Sequence, residues 1–263
     1  MSRTMLKRVN GLVWQEAFLT RRSLEMFFDI LFFPMMNVIL FGFIMHVVGS
    51  GSRSGTNLIM GILLWEVVVV NQYNLTVSSL WSVWSHNLTN IFIAPISISE
   101  YLLSHMLAAA LRTAGVFVFL AFGTYFAFNF NITHFGIANL LLFYANLSLF
   151  AYWLGIILLG LIFRYGTRVQ AIAWGTIFLF QPLSASMFPL SVLPHFIQII
   201  SRCLPATYVF EAARSALVHG GIAVHASLVA LAMNVGYSLL AAFIFGRLFK
   251  RSKETGQFAR NDL

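Results

Sequence analysis

Six long stretches of the sequence carry almost no charge. They run over about residues 26–48, 57–82, 101–127, 135–162, 170–188 and 225–248, separated by segments rich in glycine, proline or polar side chains. A helix needs about 20 consecutive apolar residues to cross a hydrocarbon core of ~30 Å. Helices suit that core because they satisfy every backbone N–H and C=O without water. Six such runs consume most of the 263 residues and leave no length for a second soluble domain. Only 9 % of the residues are charged, against roughly a quarter in a soluble domain. The expected fold is therefore an all-α membrane protein with six transmembrane helices. A further helix is expected over 4–22, where Met5, Leu6, Val9, Leu12, Val13 and Ala17 recur at helical spacing opposite Lys7, Arg8, Asn10 and Gln15. A basic amphipathic helix of this kind lies in the membrane interface.

The net charge of +8 is an orientation signal. With the N-terminus in the cytoplasm, that side holds Arg3, Lys7, Arg8, Arg21, Arg22, Arg164, Arg168, Arg247, Lys250, Arg251, Lys253 and Arg260. The other side holds Arg53, Arg202 and Arg214. The positive-inside rule then places both termini in the cytoplasm and requires an even number of spans. A charge distributed in this way does not point to nucleic acid. The single cysteine, Cys203, excludes an intrachain disulfide and a cysteine-based metal cluster.

Two connections are unusual. The cytoplasmic stretch HNLTNIFIAPISISEYL, residues 86–102, contains no lysine or arginine. Leu88, Ile91, Phe92, Ile93 and Ile96 would be costly to expose, at about 1.5–3 kcal/mol for each large apolar side chain. A short helix over 84–96 is expected, with Asn87 and Asn90 close to one face and Pro95 ending it. Ser97 and Glu100 then have the spacing of a capping box opening the next span. The external stretch 188–221 is broken by Pro189, Pro194 and Pro205, and predicts two short helices over about 195–203 and 206–218. Glu211 and Arg214, three residues apart, can pair on the polar face of the second.

Polar residues also interrupt the spans. Glu66 and Arg112 fall at matching depths in two runs joined by one loop, so the expected partner of each is the other, near the midplane. An unpaired arginine there costs ~2.5–3.5 kcal/mol on the insertion scale. Asn71, Gln72, Tyr73 and Asn74 form a run of hydrogen-bonding groups. Gln181 precedes Pro182, a kink that frees a backbone carbonyl. Asn71, Tyr73, Asn74 and Gln181 are the candidates for lining a pathway. Asp29 lies near the start of the first run. No G-x-x-x-x-G-K-[ST] occurs, so no nucleotide-binding P-loop is present. H-E-x-x-H and G-x-S-x-G are absent, and no two histidines share ligand spacing on one predicted helix face.

The runs NLTNIFIAPISISEYLL and FPLSVLPHFIQIISRCLPATYVFEAAR, in this order among six spans, resemble the membrane permeases of ATP-binding-cassette exporters of the ABC-2 (type-2) class. The resemblance covers nearly the whole chain and implies one transmembrane domain over 1–263. It implies that Asn87, Leu88, Asn90, Ile91, Pro95, Ile96 and Glu100 belong to a coupling helix gripped by a separate ATPase subunit. It implies that Pro194, Pro205, Tyr208, Glu211 and Arg214 belong to an external gate. By the same resemblance the chain is not an enzyme and binds no cofactor, ATP and Mg being held by the partner. A second copy completes the pathway in the bacterial inner membrane, and the cargo is a hydrophobic or amphipathic molecule such as a drug, lipid or lipid-linked glycan. The competing expectation is a secondary transporter not driven by ATP. Such carriers show internal repeats, and halves 1–131 and 132–263 show no convincing similarity.

Overall fold

The structure is a computed structural model, and it describes residues 3–49, 52–84 and 96–255. It is all-helical. The helices are α1 (Arg3–Arg22), α2 (Leu24–Gly49), α3 (Arg53–Trp84), α4 (Ile98–Phe128), α5 (Ile137–Tyr165), α6 (Gln170–Leu183), α7 (His195–Arg202), α8 (Pro205–His219) and α9 (Val224–Glu254), with three short 3-10 turns between them. Among the described residues five helices are long and apolar enough to cross a membrane: α2, α3 up to Ser82, α4, α5 and α9.

Two of the five form the centre. α3 and α5 are buried along most of their length, whereas α2, α4 and α9 turn rows of phenylalanine and leucine outward. The central contacts are large side chains with no exposure, among them Trp65, Phe143, Phe150 and Phe163. Apolar packing alone drives little helix association in lipid, where the tails are as apolar as leucine. Polar bonds between helices supply direction. Tyr144 and Tyr152 of α5 donate to the backbone carbonyls of Ala110 and Met106 in α4, at 2.6 and 2.9 Å. Asn234 of α9 donates to the Asn146 carbonyl at 3.0 Å and accepts from the Trp153 indole at 3.2 Å. Asn139, near the start of α5, is bonded to Gly221 and Ala223 just before α9. Arg164 near the end of α5 reaches Thr255 just after α9. α5 and α9 therefore run parallel.

The sequence expectation and the structure part at α6. The stretch 170–188 reads as a span, but the helix covers 14 residues, Gln170–Leu183. At 1.5 Å per residue that is about 21 Å, short of a ~30 Å core. Pro182 brings no N–H to the last turn, and Ala185 takes a left-handed conformation at φ 52°, so the chain turns away before Met187. The returning strand of backbone crosses α3 at Gly61. A Cβ placed there would stand 2.2 Å from the Ser186 carbonyl oxygen. The obstructing atom is backbone, which cannot rotate aside. Gly61→Ala is therefore expected to lower thermal stability by ~1–3 kcal/mol through overpacking. A melt of the purified protein checks this, and an unchanged midpoint would show that the crossing relaxes freely.

α1 packs through Val9, Leu12 and Glu16, which share one face at spacings of three and four. Its contacts advance together with those of α4: Arg8 meets Glu100, and Glu16 meets His105 and Arg112. Over this stretch α1 runs alongside α4 in the same direction.

Candidate functional site

A cavity of about 310 Å³ lies between α2, α3 and α6. Its wall is mainly apolar and aromatic: Phe33, Trp65, Tyr73, Trp174 and Phe178, with Ile30, Val69 and Ile177. Polar groups are few, namely Asp29, Asn37, Gln72, Tyr73 and Gln181. That balance is typical of a small-molecule site, where apolar walls supply contact area and sparse polar groups fix orientation.

Helical periodicity assembles the lining. Asp29, Phe33 and Asn37 are four residues apart on α2, so they stack along one face. α3 runs antiparallel to α2, and its Glu66 and Tyr73 meet Asn37 and Asp29 in order. Asn37 donates to Glu66 Oε1 at 3.1 Å. The Tyr73 hydroxyl donates to Asp29 Oδ2. Tyr73 also meets Trp174 of α6 edge-to-face, with ring centroids 5.2 Å apart. Gln72 donates to the Ala173 carbonyl at 3.1 Å and so ties α3 to α6. Trp65 is buried and closes the back of the cavity. Phe33 and Phe178, 58 % and 68 % exposed, leave its front open on the outer face of the bundle.

Of the four sequence candidates for a pathway, Tyr73 and Gln181 line the cavity and the two asparagines do not. Asn71 donates to the Val67 carbonyl at 2.9 Å and to Ser148 Oγ at 3.1 Å, joining α3 to α5. Asn74 donates to the Val70 carbonyl at 2.7 Å and accepts from Arg112 at 2.9 Å. Gln72, part of the same polar run, lines the cavity too, whereas Asn37 was not among the candidates and Asp29 had no role assigned. The four-residue spacing of Asp29 and Asn37 in an otherwise apolar run was the available signal.

The expected pairing of Glu66 with Arg112 does not form. Arg112 is 3.0 Å from Glu16 Oε2, and a second guanidinium nitrogen bonds Asn74. His105 Nδ1 lies 3.7 Å from the other Glu16 oxygen. Matching depth is necessary for contact but does not fix the direction in which a side chain leaves its helix. Arg112 turns toward α1, a helix that the sequence places at the surface. Glu66 turns toward α2.

The family model described as ABC-2 type transporter matches residues 8–218, from the first turns of α1 to the last turn of α8. The chain belongs to the ABC-2 type transporter family. No individual curated protein matches it. As an ABC-2 membrane domain it is a multi-pass permease of an ABC transporter, a transport component and not itself a catalyst.

In this ABC-2 permease, five of the residues expected in the coupling helix (Asn87, Leu88, Asn90, Ile91 and Pro95) lie outside the described residues. Ile96 is half-buried and packs against the core. The capping box is present: the Glu100 amide donates to Ser97 Oγ at 3.2 Å, and the Ser97 amide donates to Glu100 Oε2 at 2.7 Å. Glu100 is buried, and its second oxygen lies 3.6 Å from Arg8. It therefore anchors the start of α4 and the adjacent α1.

The two short helices of the permease fall where the prolines indicate. Pro194 immediately precedes α7, and Pro205 occupies the first turn of α8, where its missing N–H has no consequence. Tyr208 donates to the Arg202 carbonyl at 3.1 Å and closes the corner between them. Glu211 and Arg214 do pair, at 2.7 Å, yet Arg214 is buried and not on a polar outer face. It also donates to the carbonyls of Ala185 and Ser186, while Glu211 accepts from the Leu190 amide at 2.9 Å. The turn after α6 has carbonyls that no helix satisfies, and the guanidinium fork fills that need. Burial lowers the basicity of Arg214, and Glu211 opposes the effect.

Proposed function

We propose that the permease is the membrane half of an ATP-driven exporter in which the cavity between α2, α3 and α6 is part of the translocation pathway. The observation that carries this is the cavity itself: a ligand-sized hollow, mostly apolar with a few polar groups, set in membrane helices and open on one side. Its open front carries Phe33 and Phe178, and exposed aromatic and apolar side chains on α2 and α6 continue it. A second copy of the chain facing this side would close the pathway, which supports a dimer over a single working unit.

In this proposal α6, with the turn that follows it, completes a sixth crossing, and α7 and α8 form a cap on the external side. α1 sits at the cytoplasmic interface. Both termini are cytoplasmic, as the cation distribution favours, and the membrane is the bacterial inner membrane. The sequence holds no P-loop; in this proposal ATP and Mg are bound by two separate ATPase subunits that grip the 84–96 segment. Their closure moves α3 and α4, which flank that segment, and the motion reaches the cavity through α3. The transported molecule is hydrophobic or amphipathic.

A photo-crosslinking residue introduced at Asn87 or Ile91 in intact cells tests the arrangement. Capture of a cytoplasmic P-loop ATPase is the expected result. Labelling of these positions by an impermeant reagent added outside the cells would overturn the topology and the proposal with it. For the pathway, Cys203→Ser removes the sole native thiol. Phe33→Cys or Phe178→Cys in that background is expected to crosslink between copies under mild oxidation, and crosslinks confined to α9 instead would place the dimer seam elsewhere.

A further inference from the structure

We infer that the cavity between α2, α3 and α6 selects an organic cation with an apolar body. The inference rests on the proposal that this cavity is the pathway, and it adds the sign of the cargo's charge.

The lining contains an aspartate and no lysine, arginine or histidine. Asp29 accepts a bond from the neutral Tyr73 hydroxyl and has no ion-pair partner among the described residues. A second acid stands one hydrogen bond behind the wall. Glu66 is 1 % exposed and is held by the lining residue Asn37. Its other oxygen, Oε2, is buried with no hydrogen-bond partner. Buried polar groups are nearly always satisfied. A carboxyl left half-satisfied beside a hollow favours a hydrogen-bond donor or a positive charge arriving from the cavity side.

Asp29 and Asn37, the residue that holds Glu66, stand at opposite ends of the α2 wall. Asp29 and Asn37 are eight residues apart on α2, about 12 Å along the helix axis. Arg112, midway along α4, is already committed elsewhere, since it is paired with Glu16. An anion entering the cavity would meet Asp29 with nothing to offset it. A neutral apolar molecule would desolvate that carboxylate and give no partner in return.

The aromatic walls narrow the class further. Phe33, Trp65, Tyr73, Trp174 and Phe178 offer faces and edges to a bulky cation, and aromatic faces attract cations when water is excluded. They offer no additional oxygen ligands, and no cluster of three or more acidic, histidine or cysteine side chains occurs among the described residues. A bare calcium or magnesium ion demands six or more oxygen ligands and is not suited. The volume of about 310 Å³ lies at the lower end of the range of ligand sites. A compact amphiphilic cation meets all of these conditions.

Tetraphenylphosphonium and tetraphenylborate have nearly the same shape and opposite charge, so they isolate the variable. Equilibrium binding of each to the purified full-length permease in neutral detergent is the experiment. The phosphonium ion is expected to bind at least tenfold more tightly than the borate. Asp29→Asn, which retains a partner for Tyr73, is expected to remove most of that preference. Glu66→Gln is expected to weaken phosphonium binding severalfold. Trp174→Ala is expected to weaken both ions, as loss of a shared wall must. Equal affinity of the two ions, both reduced by Trp174→Ala, would overturn the charge preference and leave the pathway proposal standing. Binding of either ion that Trp174→Ala and Phe178→Ala leave untouched would overturn both. The comparison of the two ions in the unmodified protein stands even if a variant fails to fold.

Discussion

Replacing Arg112 by alanine is expected to abolish most of the folded protein recovered from membranes. The variant leaves Glu16 buried at 5 % exposure without the cation that it faces at 3.0 Å, and leaves Asn74 without its donor. Breaking one side of a buried ion pair costs about 3–5 kcal/mol, because the remaining charge keeps its desolvation penalty and loses its partner. Total stabilities are themselves only about 5–15 kcal/mol. Arg112→Lys retains a charge but offers no planar fork, so it cannot hold both Glu16 and Asn74 in the present geometry and is expected to fall between wild type and alanine. Removing both charges, as Glu16→Gln with Arg112→Gln, is expected to recover much of the loss. Size-exclusion profiles and melts of the four proteins check the series. A single alanine variant with wild-type yield would refute the Glu16–Arg112 pairing. Loss in the double variant equal to that in the single would assign the effect to packing and not to charge.

Arg214→Met is expected to release the connection between α6 and α7 while leaving the five long helices assembled. The guanidinium is the shared donor for the Ala185 and Ser186 carbonyls and pairs with Glu211, which in turn holds the Leu190 amide. Methionine matches much of the stem but satisfies none of these acceptors. Each carbonyl left unsatisfied in a buried place costs about 1–3 kcal/mol, so the local penalty exceeds the stability of a short turn. Hydrogen exchange at the Leu190 amide should accelerate by at least a hundredfold, and proteases should cut between Ala185 and Leu193. Glu211→Gln keeps an acceptor for Leu190 and is expected to have a smaller effect. Unchanged protection at Leu190 in Arg214→Met would mean that packing of α8 alone holds the turn. If α7 and α8 act as an external cap, the same variant loses transport before it loses folding, and transport assays on the folded fraction separate the two.

Local chemistry was legible in the sequence. The capping box of Ser97 and Glu100 spans four residues, so its geometry follows once a helix starts there. The Glu211–Arg214 pair spans a single turn for the same reason. The prolines at 194 and 205 mark the starts of the two short helices because a residue without an N–H belongs at the beginning of a helix. The long apolar runs give the all-helical fold, since hydrocarbon leaves the backbone no other way to satisfy itself. The apolar run outlasts α6 because hydrophobicity continues to Phe188, whereas the helical hydrogen bonds end at Ser184.

What the sequence determined by itself, then, is an all-helical fold built on long apolar helices, the capping box that opens α4 and the depth of each polar group along its own helix. Depth follows from counting residues along an axis. The tertiary structure alone decided which way each polar group points. It turned Arg112 to Glu16 and Glu66 to Asn37, put Arg214 indoors, and brought Asp29, Tyr73 and Trp174 around one cavity. Rotation of a helix about its axis is set by packing against helices distant in the chain, and no local spacing encodes it.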